Sequence, residues 1–388
     1  MLLTMGNDSY MRKSPPNYLL VLISCLILLL ACWNFLQAEE EFYGRDIWND
    51  AASAMTTSWS LPNLKTYTTW DGNTDGESIG VIILGMHRSG TSMLAGLLAT
   101  AYGFFPGETE ELIPPRYANA KGYYERGDVV RQNDRFMQYA RLNMPMFHSN
   151  ILYTPWVITQ YENYYTSPYE MLNNTASEDI TTALNFMNNE HPIVPDHPTI
   201  PWLQKDPRMC VTLRTWLPFI KKPPAIIITY RHPAEVGHSV ATRDQKPMLI
   251  GLNAWIAYNT ALIRNSMGLC KVITKNSDLL QSPGEELRRI VHELQTKCHL
   301  VAPPITTPDH KVIDDFIDVE MQGSRHDQLT SCMNGKPHFN VTTSGLKPTS
   351  QLVYRRAMKL YCDMESGIAF LPDYNGFPQP LKRHQEYH

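Results

Sequence analysis

The stretch VIILGMHRSGTSMLAGLL, residues 81–98, constrains the fold more than any other part of this 388-residue sequence. Four branched apolar residues at 81–84 predict a buried strand, and the periodic apolar residues after Gly90 predict a helix. Gly85 and Gly90 stand in the loop between them with four residues in between, which is the outline of a phosphate-binding loop. Nucleoside triphosphatases have lysine after the second glycine, whereas this chain has Thr91. The sequence therefore predicts a phosphate-type ligand that does not require that lysine.

Strands and helices alternate along the chain after residue 78. The pattern predicts strands at 80–85, near 200–205, at 225–230 and at 271–274. It predicts helices at 90–102 (ending at Gly103), 127–141, within 145–200 (capped at Ser177), from about 233, and at 249–267, 283–298 and 348–365. This alternation is typical of an α/β fold of the phosphate-loop type, with a mostly parallel sheet flanked by helices. The ligand should lie beyond the carboxyl ends of the strands.

The composition of the N-terminal region predicts a membrane anchor and its topology. Residues 18–37 are charge-free, mostly apolar and long enough to cross a bilayer as a helix, and Arg12 and Lys13 precede them. The expected organisation is a cytosolic tail at 1–17, a transmembrane signal-anchor at 18–37, a lumenal stem at 38–77 and a lumenal domain at 78–388 with an insertion at about 145–200. The alternative is a cleaved signal peptide. Both interpretations place the rest of the chain in the secretory pathway.

The cysteines and sequons agree with a lumenal domain. Five cysteines follow the apolar segment, at 210, 270, 298, 332 and 362. An odd number allows at most two internal disulfides and leaves one thiol. Asn173 and Asn340 are acceptor sites for N-glycosylation.

Charge and motif content exclude several function classes. The formal net charge is −4 and no long block of like charge occurs, so we expect no binding to nucleic acid. The sequence has no Asp-x-Asp and no His-Glu-x-x-His, which disfavours metal-dependent glycosyl transfer and zinc proteolysis. Residues 76–80 fit Gly-x-Ser-x-Gly but precede a strand, whereas a nucleophile elbow follows one.

A second candidate anion site follows the strand at 225–230. Arg231 stands at the end of that strand, and Ser239 lies eight residues later in the helix that begins near 233. This pattern is weak alone, because arginine before proline is a common way to enter a helix. The pattern becomes specific only in combination with the loop after the first strand. We define this phosphate loop as residues 85–92.

Together the two motifs resemble those of the PAPS-dependent sulfotransferases. The family combines Lys/Arg-Ser-Gly-Thr-Ser/Thr with an arginine and a serine eight residues later; this chain has Arg88-Ser89-Gly90-Thr91-Ser92 and Arg231 with Ser239. The likeness covers about residues 80–363 and is nearer to a bacterial-type and algal-type branch than to the cytosolic branch. Its further matches are Lys205-Asp206-Pro207-Arg208, Gly251-Leu252 with Trp255 and Tyr258-Asn259, Asp278-Leu279-Leu280, and Phe316-Ile317-Asp318 with Arg325-His326.

The resemblance implies a donor and residues that hold it. The donor is 3′-phosphoadenosine 5′-phosphosulfate (PAPS), the product is 3′-phosphoadenosine 5′-phosphate (PAP), and no metal is required. The implied donor-binding residues are His87, Arg88, Ser89, Gly90, Thr91, Ser92, Arg231, Ser239 and Arg325. Arg88 and Lys205 are the candidates for stabilising charge on the leaving phosphate, although Lys205 could instead reach solvent from a strand end. With the membrane anchor, the implied enzyme is a single-pass Golgi protein that acts on a carbohydrate.

The general base is less well defined by the sequence. Cytosolic relatives have a histidine two residues after the strand lysine, and here that position is Pro207. Glu125 resembles the glutamate that glycan-modifying relatives use, with Asp206 as second choice; Glu125 could also be a surface residue that caps the next helix. The family's adenine-side tyrosine is replaced by Asn276, which leaves the adenine contacts open.

Two other functions fit parts of the pattern. A lumenal kinase or other phosphotransferase of the phosphate-loop type would bind ATP with Mg²⁺, but the missing lysine disfavours it. A non-catalytic protein with the same fold would bind PAP and release no sulfated product.

Overall fold

A four-stranded parallel sheet forms the centre of the described structure. The computed structural model describes residues 78, 80–115, 119–139, 178–188, 201–244, 247–301, 310–317, 331–333, 336–338 and 348–378. All of them belong to one unit, Pro62–His388. The sheet strands are β1 (Gly80–Leu84), β2 (Trp202–Lys205), β3 (Ala225–Tyr230) and β4 (Lys271–Lys275), in the order β2-β1-β3-β4. A separate antiparallel hairpin contains β5 (Ser331–Met333) and β6 (Lys336–His338).

Helices cover both faces of this sheet. They are α1 (Thr91–Tyr102), α2 (Gly127–Tyr139), α3 (Glu178–Met187), α4 (Met209–Trp216), α5 (Pro233–Asp244), α6 (Met248–Asn265), α7 (Asn276–Gln281), α8 (Pro283–Cys298), α9 (His310–Phe316) and α10 (Pro348–Glu365). Successive strand residues point to opposite faces, and both faces are buried. Val81 and Ile83 pack in one core with α1 and α8, whereas Ile82 and Leu84 pack in the other with α5 and α6.

The strand order predicts a crevice at the carboxyl edge of the sheet. From β1 the chain continues through α1 on one face, and from the adjacent strand β3 it continues through α5 on the opposite face. Neighbouring strands whose connections diverge in this way form a topological switch point, where α/β proteins bind their ligands. The phosphate loop follows β1 and Arg231 follows β3, so both candidate anion sites border this crevice.

The predicted α/β fold is confirmed, with differences at the element ends. The strand at 225–230 and the helices at 283–298 and 348–365 have the predicted bounds. Gly103 ends α1 in the left-handed region at φ 68°, and its N–H donates to the carbonyl of Ala99. The sequence patterns did not predict the short elements α4, α7, α9, β5 and β6, because stretches of three to eight residues carry too little periodicity.

The cysteine prediction is also confirmed. Disulfides join Cys270 to Cys298 and Cys332 to Cys362, and Cys210 is a buried free thiol. Burial raises the pKa of this thiol far above its ordinary value.

Several predictions fall on residues that the structure does not describe. They concern the anchor at 18–37, the stem, Asn173, Asn340, Arg325 and most of the 145–200 insertion, of which only α3 and its flanking residue 188 are described. Within the described residues, no helix has the length and apolar character needed to span a bilayer.

Candidate active site at the carboxyl edge of the sheet

The phosphate loop is held tightly against β3. A Cβ atom on Gly85 would lie 2.5 Å from the carbonyl oxygen of Thr229, so only glycine fits there. Arg88 and Gly90 both have positive φ, at 69° and 86°, and the Ser89 N–H donates to the carbonyl of Met86. Left-handed conformations are costly for arginine, and this one turns the chain sharply before α1. The result is a tight loop at the N-terminal end of a helix, as anion sites require.

The hydroxyl-bearing residues of this loop are largely buried. Ser89 is fully buried, and its Oγ has no hydrogen-bond partner among the described residues. Thr91 is buried as well, and Ser92 is half-buried. A buried hydroxyl without a partner costs free energy unless a ligand or water satisfies it. This feature fits the predicted role of Ser89 in a phosphate-binding loop.

The two candidate anion sites are in direct contact. Arg88 Nε donates a 2.9 Å hydrogen bond to Ser239 Oγ, although 151 residues separate them in sequence. The resemblance grouped Ser239 with Arg231, and the structure adds Arg88 of the phosphate loop to that group. The loop after β1 and the helix after β3 therefore border one continuous site.

Arg231 is positioned by its own helix and by α6. Its Nε donates to Glu235 Oε2 at 2.6 Å, and its carbonyl accepts a 2.9 Å hydrogen bond from Trp255 Nε1. The tryptophan reaches it because α5 and α6 cross in close contact: a Cβ on Gly251 would lie 2.8 Å from Gly237 Cα. The Gly251-Leu252-x-x-Trp255 motif thus positions the backbone of Arg231 through the Trp255 hydrogen bond. The sequence alone did not reveal this role.

Lys205 and Glu125 meet at the end of β2. Lys205 is fully buried and donates to Glu125 Oε1, with which it forms an ion pair, and to Ser92 Oγ at 3.1 Å. The alternative in which this lysine reaches solvent is therefore wrong. Glu125 is also buried, so the alternative of a surface capping residue is wrong as well. The cluster links the carboxyl end of β2 to the first turn of α1.

The position of Glu125 depends on a strained segment of chain. Tyr124, the preceding residue, has φ 55°, and the Glu125 carbonyl accepts from the Ile113 N–H at 2.8 Å. Arg126, the following residue, is buried and forms ion pairs with Glu111 and Asp128. Both neighbours of Glu125 are thus fixed. The carboxylate is held at Lys205 by rigid backbone on either side.

Burial and charge act in opposite directions on Glu125. Burial, the largest cause, raises the pKa of this carboxyl above 4.5, and the charge of Lys205 offsets part of that effect. The net direction is upward. A carboxylate with a raised pKa is a stronger proton acceptor than an exposed one, as general-base chemistry requires.

Asp206, the second candidate base, serves a structural network instead. It is fully buried, and its Oδ1 accepts from both the backbone N–H and Nη1 of Arg208 at 3.0 Å. Its Oδ2 accepts from Asn133 Nδ2 at 2.7 Å. Asn133 in turn accepts from Thr212 and from Trp216. These bonds tie β2 to α2 and α4 and occupy both oxygens of Asp206.

Four cationic side chains lie close enough to His87 to affect its pKa. Burial lowers the pKa of this imidazole well below 6.5, and nearby cations lower it further, in the order Arg208, Arg243, Lys205 and Arg88. The ring packs edge-on against Tyr258 at 5.6 Å. His87 is therefore neutral at physiological pH. Two of these cations, Lys205 and Arg208, form ion pairs with Glu125 and Asp206, so carboxylates within the protein offset part of the positive charge beside the loop.

One further residue reaches the phosphate loop. Asn276, at the carboxyl end of β4, is buried, and its Nδ2 would lie 2.2 Å from a Cβ on Gly90. The resemblance identified this position only as a departure from tyrosine. Among the described residues, no three His, Cys, Asp or Glu side chains are grouped to hold a metal ion.

Comparisons with known proteins give two distant structural likenesses. No family model and no curated protein matches the sequence. The sulfotransferase domain from the Synechococcus PCC 7002 olefin synthase has 11% identity and a TM-score of 0.34, covering 64% of this chain and 82% of that one. The sulfotransferase domain from the curacin biosynthetic pathway has 13% identity and a TM-score of 0.34, covering 65% and 82%. Likenesses this weak carry no argument, so a function must be inferred from the site itself.

Proposed function

We propose that this chain is a sulfotransferase that moves a sulfonyl group from PAPS to a hydroxyl or amine of an acceptor. The observation that carries the proposal is the Arg88–Ser239 hydrogen bond. It joins a phosphate loop without the triphosphatase lysine to a second site that contains Arg231. Two anion sites that share a border fit a ligand with two separate anionic groups, and PAPS carries a 5′-phosphosulfate and a 3′-phosphate.

The residues present fit this donor. Gly85 lets the loop pack closely against Thr229, Gly90 has positive φ before α1, and the buried Ser89 hydroxyl has an unused hydrogen-bonding capacity within the described structure. We assign the 5′ group to the phosphate loop and the 3′-phosphate to Arg231 and Ser239. When bound, PAPS supplies an activated sulfonyl group whose leaving group is PAP.

Lys205 and Glu125 have complementary roles in the proposed transfer. The acceptor oxygen or nitrogen forms a bond to sulfur as the bond from sulfur to the phosphate oxygen breaks, and the acceptor loses one proton. Glu125 accepts that proton. Lys205 and Arg88 stabilise the negative charge that develops on the leaving phosphate. The protein thus contributes mainly position and charge, as in phosphoryl transfer.

The acceptor and the cellular location extend the same proposal. We infer a carbohydrate or glycoconjugate acceptor and a type II protein of the Golgi membrane, anchored by residues 18–37. The two disulfides support this location, because such bonds persist in the secretory pathway and are rare in the cytosol. No nucleic acid partner is proposed.

The direct test is transfer of radiolabelled sulfonyl from PAPS to a panel of glycans, proteins and small hydroxyl compounds. We expect a labelled product with the wild type and about 10²–10³-fold slower turnover with Arg88→Ala, as for loss of one preorganised charge donor. Exposed Lys311→Ala is the matched control, with unchanged turnover. Preference for ATP with Mg²⁺ over PAP would favour the kinase instead. Tight PAP binding without any labelled product would favour the non-catalytic protein.

A further inference from the structure

We propose that Arg126 is a positioning residue for the transfer reaction: its anchored side chain fixes the adjacent backbone and so holds the Glu125 carboxylate at Lys205. The inference rests on the proposed function. It concerns a residue to which neither the sequence motifs nor the resemblance gives a role. Arg126 is 1% exposed, so it acts through Glu125 and does not contact a ligand itself.

The first support is the number of directions from which the Arg126 guanidinium is held. All three of its nitrogens donate hydrogen bonds, and Glu111 and Asp128 each accept two of them. Paired hydrogen bonds to a carboxylate fix the orientation of the guanidinium plane as well as its distance. Its Cζ also lies 4.2 Å from the centre of the Phe186 ring, which packs against one face of that plane. The side chain therefore has little freedom to move.

The second support is that the partners of Arg126 are themselves anchored. Glu111 Oε2 also accepts from the backbone N–H of Glu108 at 2.9 Å. Asp128 Oδ1 also accepts from the Val129 N–H at 2.8 Å, in the first turn of α2. The phenyl ring that packs on the guanidinium belongs to α3. Arg126 is thus fixed to a loop and to two helices at once.

The third support is the backbone that joins Arg126 to Glu125. The Ile113 N–H donates to the Glu125 carbonyl at 2.8 Å, and Leu112 pairs with Arg126 in an antiparallel bridge. Successive side chains of a segment paired in this way point to opposite sides. Arg126 is therefore anchored on one side of the segment, while Glu125 reaches Lys205 on the other.

The position of this segment matters because a base must be placed accurately. A misplacement of about 1 Å at a reacting group can cost about 10²-fold in rate. Tyr124, at φ 55°, has a costly conformation that persists only where the surrounding structure enforces it. Without the contacts of Arg126 the segment could relax and move Glu125 away from Lys205. We therefore expect Arg126 to affect turnover and not donor binding.

The test is a double-variant cycle on the detergent-solubilised full chain, with PAPS and the acceptor that the wild type labels fastest. Arg126→Lys keeps the charge but loses the paired hydrogen bonds. It should lower kcat about 10- to 100-fold. The KM for PAPS and the calorimetric affinity for PAP should stay within about twofold of the wild-type values. In a Glu125→Gln background the same substitution should change kcat less than about threefold, because the base that it positions is already absent.

Arg131→Lys is the matched control. Arg131 joins α2 to Asp179 of α3 from an exposed position, so its replacement should leave kcat unchanged. Asp128→Asn guards against a folding defect in the Arg126 variant, because it keeps the side-chain shape, removes one charged partner and should also lower kcat. Unfolding temperatures report whether each variant is folded.

Two results would overturn the inference. One is a folded Arg126→Lys or Asp128→Asn variant with the wild-type kcat. The other is an equal loss of kcat from Arg126→Lys with and without Glu125, since this would mean that Arg126 does not act through that carboxylate. A wild type that transfers no label to any acceptor would instead overturn the proposed function.

Discussion

The ion pair between Lys205 and Glu125 is the residue-scale feature on which the proposed chemistry depends. Both side chains are buried, and transfer of such charges from water costs several kcal/mol per ion unless each has a close partner. The charge of each side chain therefore offsets part of the free-energy cost of burying the other. A stable protein would not need this arrangement, because apolar residues of similar size are often as good.

Removal of one partner should reveal the coupling in stability. We expect Lys205→Met to lower the free energy of unfolding by about 3–5 kcal/mol, because it leaves the Glu125 carboxylate buried without its cation. Urea unfolding of Lys205→Met, Glu125→Gln and the double variant measures this. The double variant should lose less than the sum of the two single losses. Strictly additive losses would mean that the pair is not coupled.

The pH dependence of turnover tests Glu125 as the base. A general base must be ionised, and burial raises the pKa of this carboxyl above 4.5, so kcat/KM should fall as the pH drops through a value higher than 4.5. At pH values above that pKa, titration of Glu125 should no longer change kcat/KM. Glu125→Gln should be about 10²–10⁴-fold slower and lose this acid limb. A variant with the same acid limb as the wild type would assign the limb to another group.

Single residues of the site could be predicted from sequence, but their pairings could not. Arg88, Lys205 and Glu125 were each predicted from the resemblance of the short motifs that contain them to those of a known family. The Arg88–Ser239 bond joins residues 151 positions apart, and the Lys205–Glu125 pair joins residues 80 apart, so no local pattern encodes them. Asp206 was a reasonable candidate base until its oxygens were found to accept from Arg208 and Asn133.

At the scale of elements, the contact between α5 and α6 sets the geometry of the second anion site. Gly237 and Gly251 allow the two helix backbones to touch, and this contact brings Trp255 to the carbonyl of Arg231. Small residues at a helix crossing are what permit such close approach. The separation of the helices and the position of Arg231 are therefore linked.

A methyl group at this crossing should disturb both. Gly251→Ala places a Cβ 2.8 Å from the backbone of Gly237, which cannot yield as a side chain could, and overpacking of this kind costs about 1–3 kcal/mol. We expect a lower unfolding temperature and weaker PAP binding. Gly284→Ala is the matched control, since its Cβ would make an ordinary 3.4 Å contact with Ile313. Equal unfolding temperatures for the two variants would contradict this, because they would show that the helix crossing can accommodate the added methyl group.

At the scale of the whole molecule, the disulfides stabilise the C-terminal part of the described chain. Cys270 precedes β4 and bonds to the last residue of α8, and Cys332 joins the β5–β6 hairpin to Cys362 of α10. They close loops of 28 and 30 residues in sequence separation. The sequence predicted at most two bonds and a leftover thiol, but any of the five cysteines could be the free one and the other four then allow three connectivities, so only the structure gives the pairs.

Loss of the first disulfide should lower stability by the entropy of its loop. We expect the double variant Cys270→Ala/Cys298→Ala to lose about 3–4 kcal/mol of unfolding free energy, because its unfolded chain is less restricted. Chemical denaturation under non-reducing conditions measures the loss. Addition of dithiothreitol should lower the free energy of unfolding of the wild type by at least as much. An unchanged midpoint in the variant would mean that this bond does not constrain the unfolded chain.

The overall architecture was largely accessible from sequence because hydrophobic periodicity carries it. Long or strongly apolar elements such as β3 and α8 were placed with correct bounds. Strand order was not accessible, since it depends on contacts between distant segments. Yet that order, β2-β1-β3-β4, is what gathers the Lys205–Glu125 ion pair and the two candidate anion sites along one edge.

The central claim is that the phosphate loop and the 231–239 segment hold one ligand with two anionic groups. Its most direct test is calorimetric comparison of PAP with 5′-AMP, which lacks the 3′-phosphate, in the wild type and in Arg231→Ala. The wild type should bind PAP about 10- to 150-fold more tightly, the value of a charge-assisted hydrogen bond, and Arg231→Ala should bind the two equally. A folded Arg231→Ala variant that retains the full preference for PAP would contradict the account.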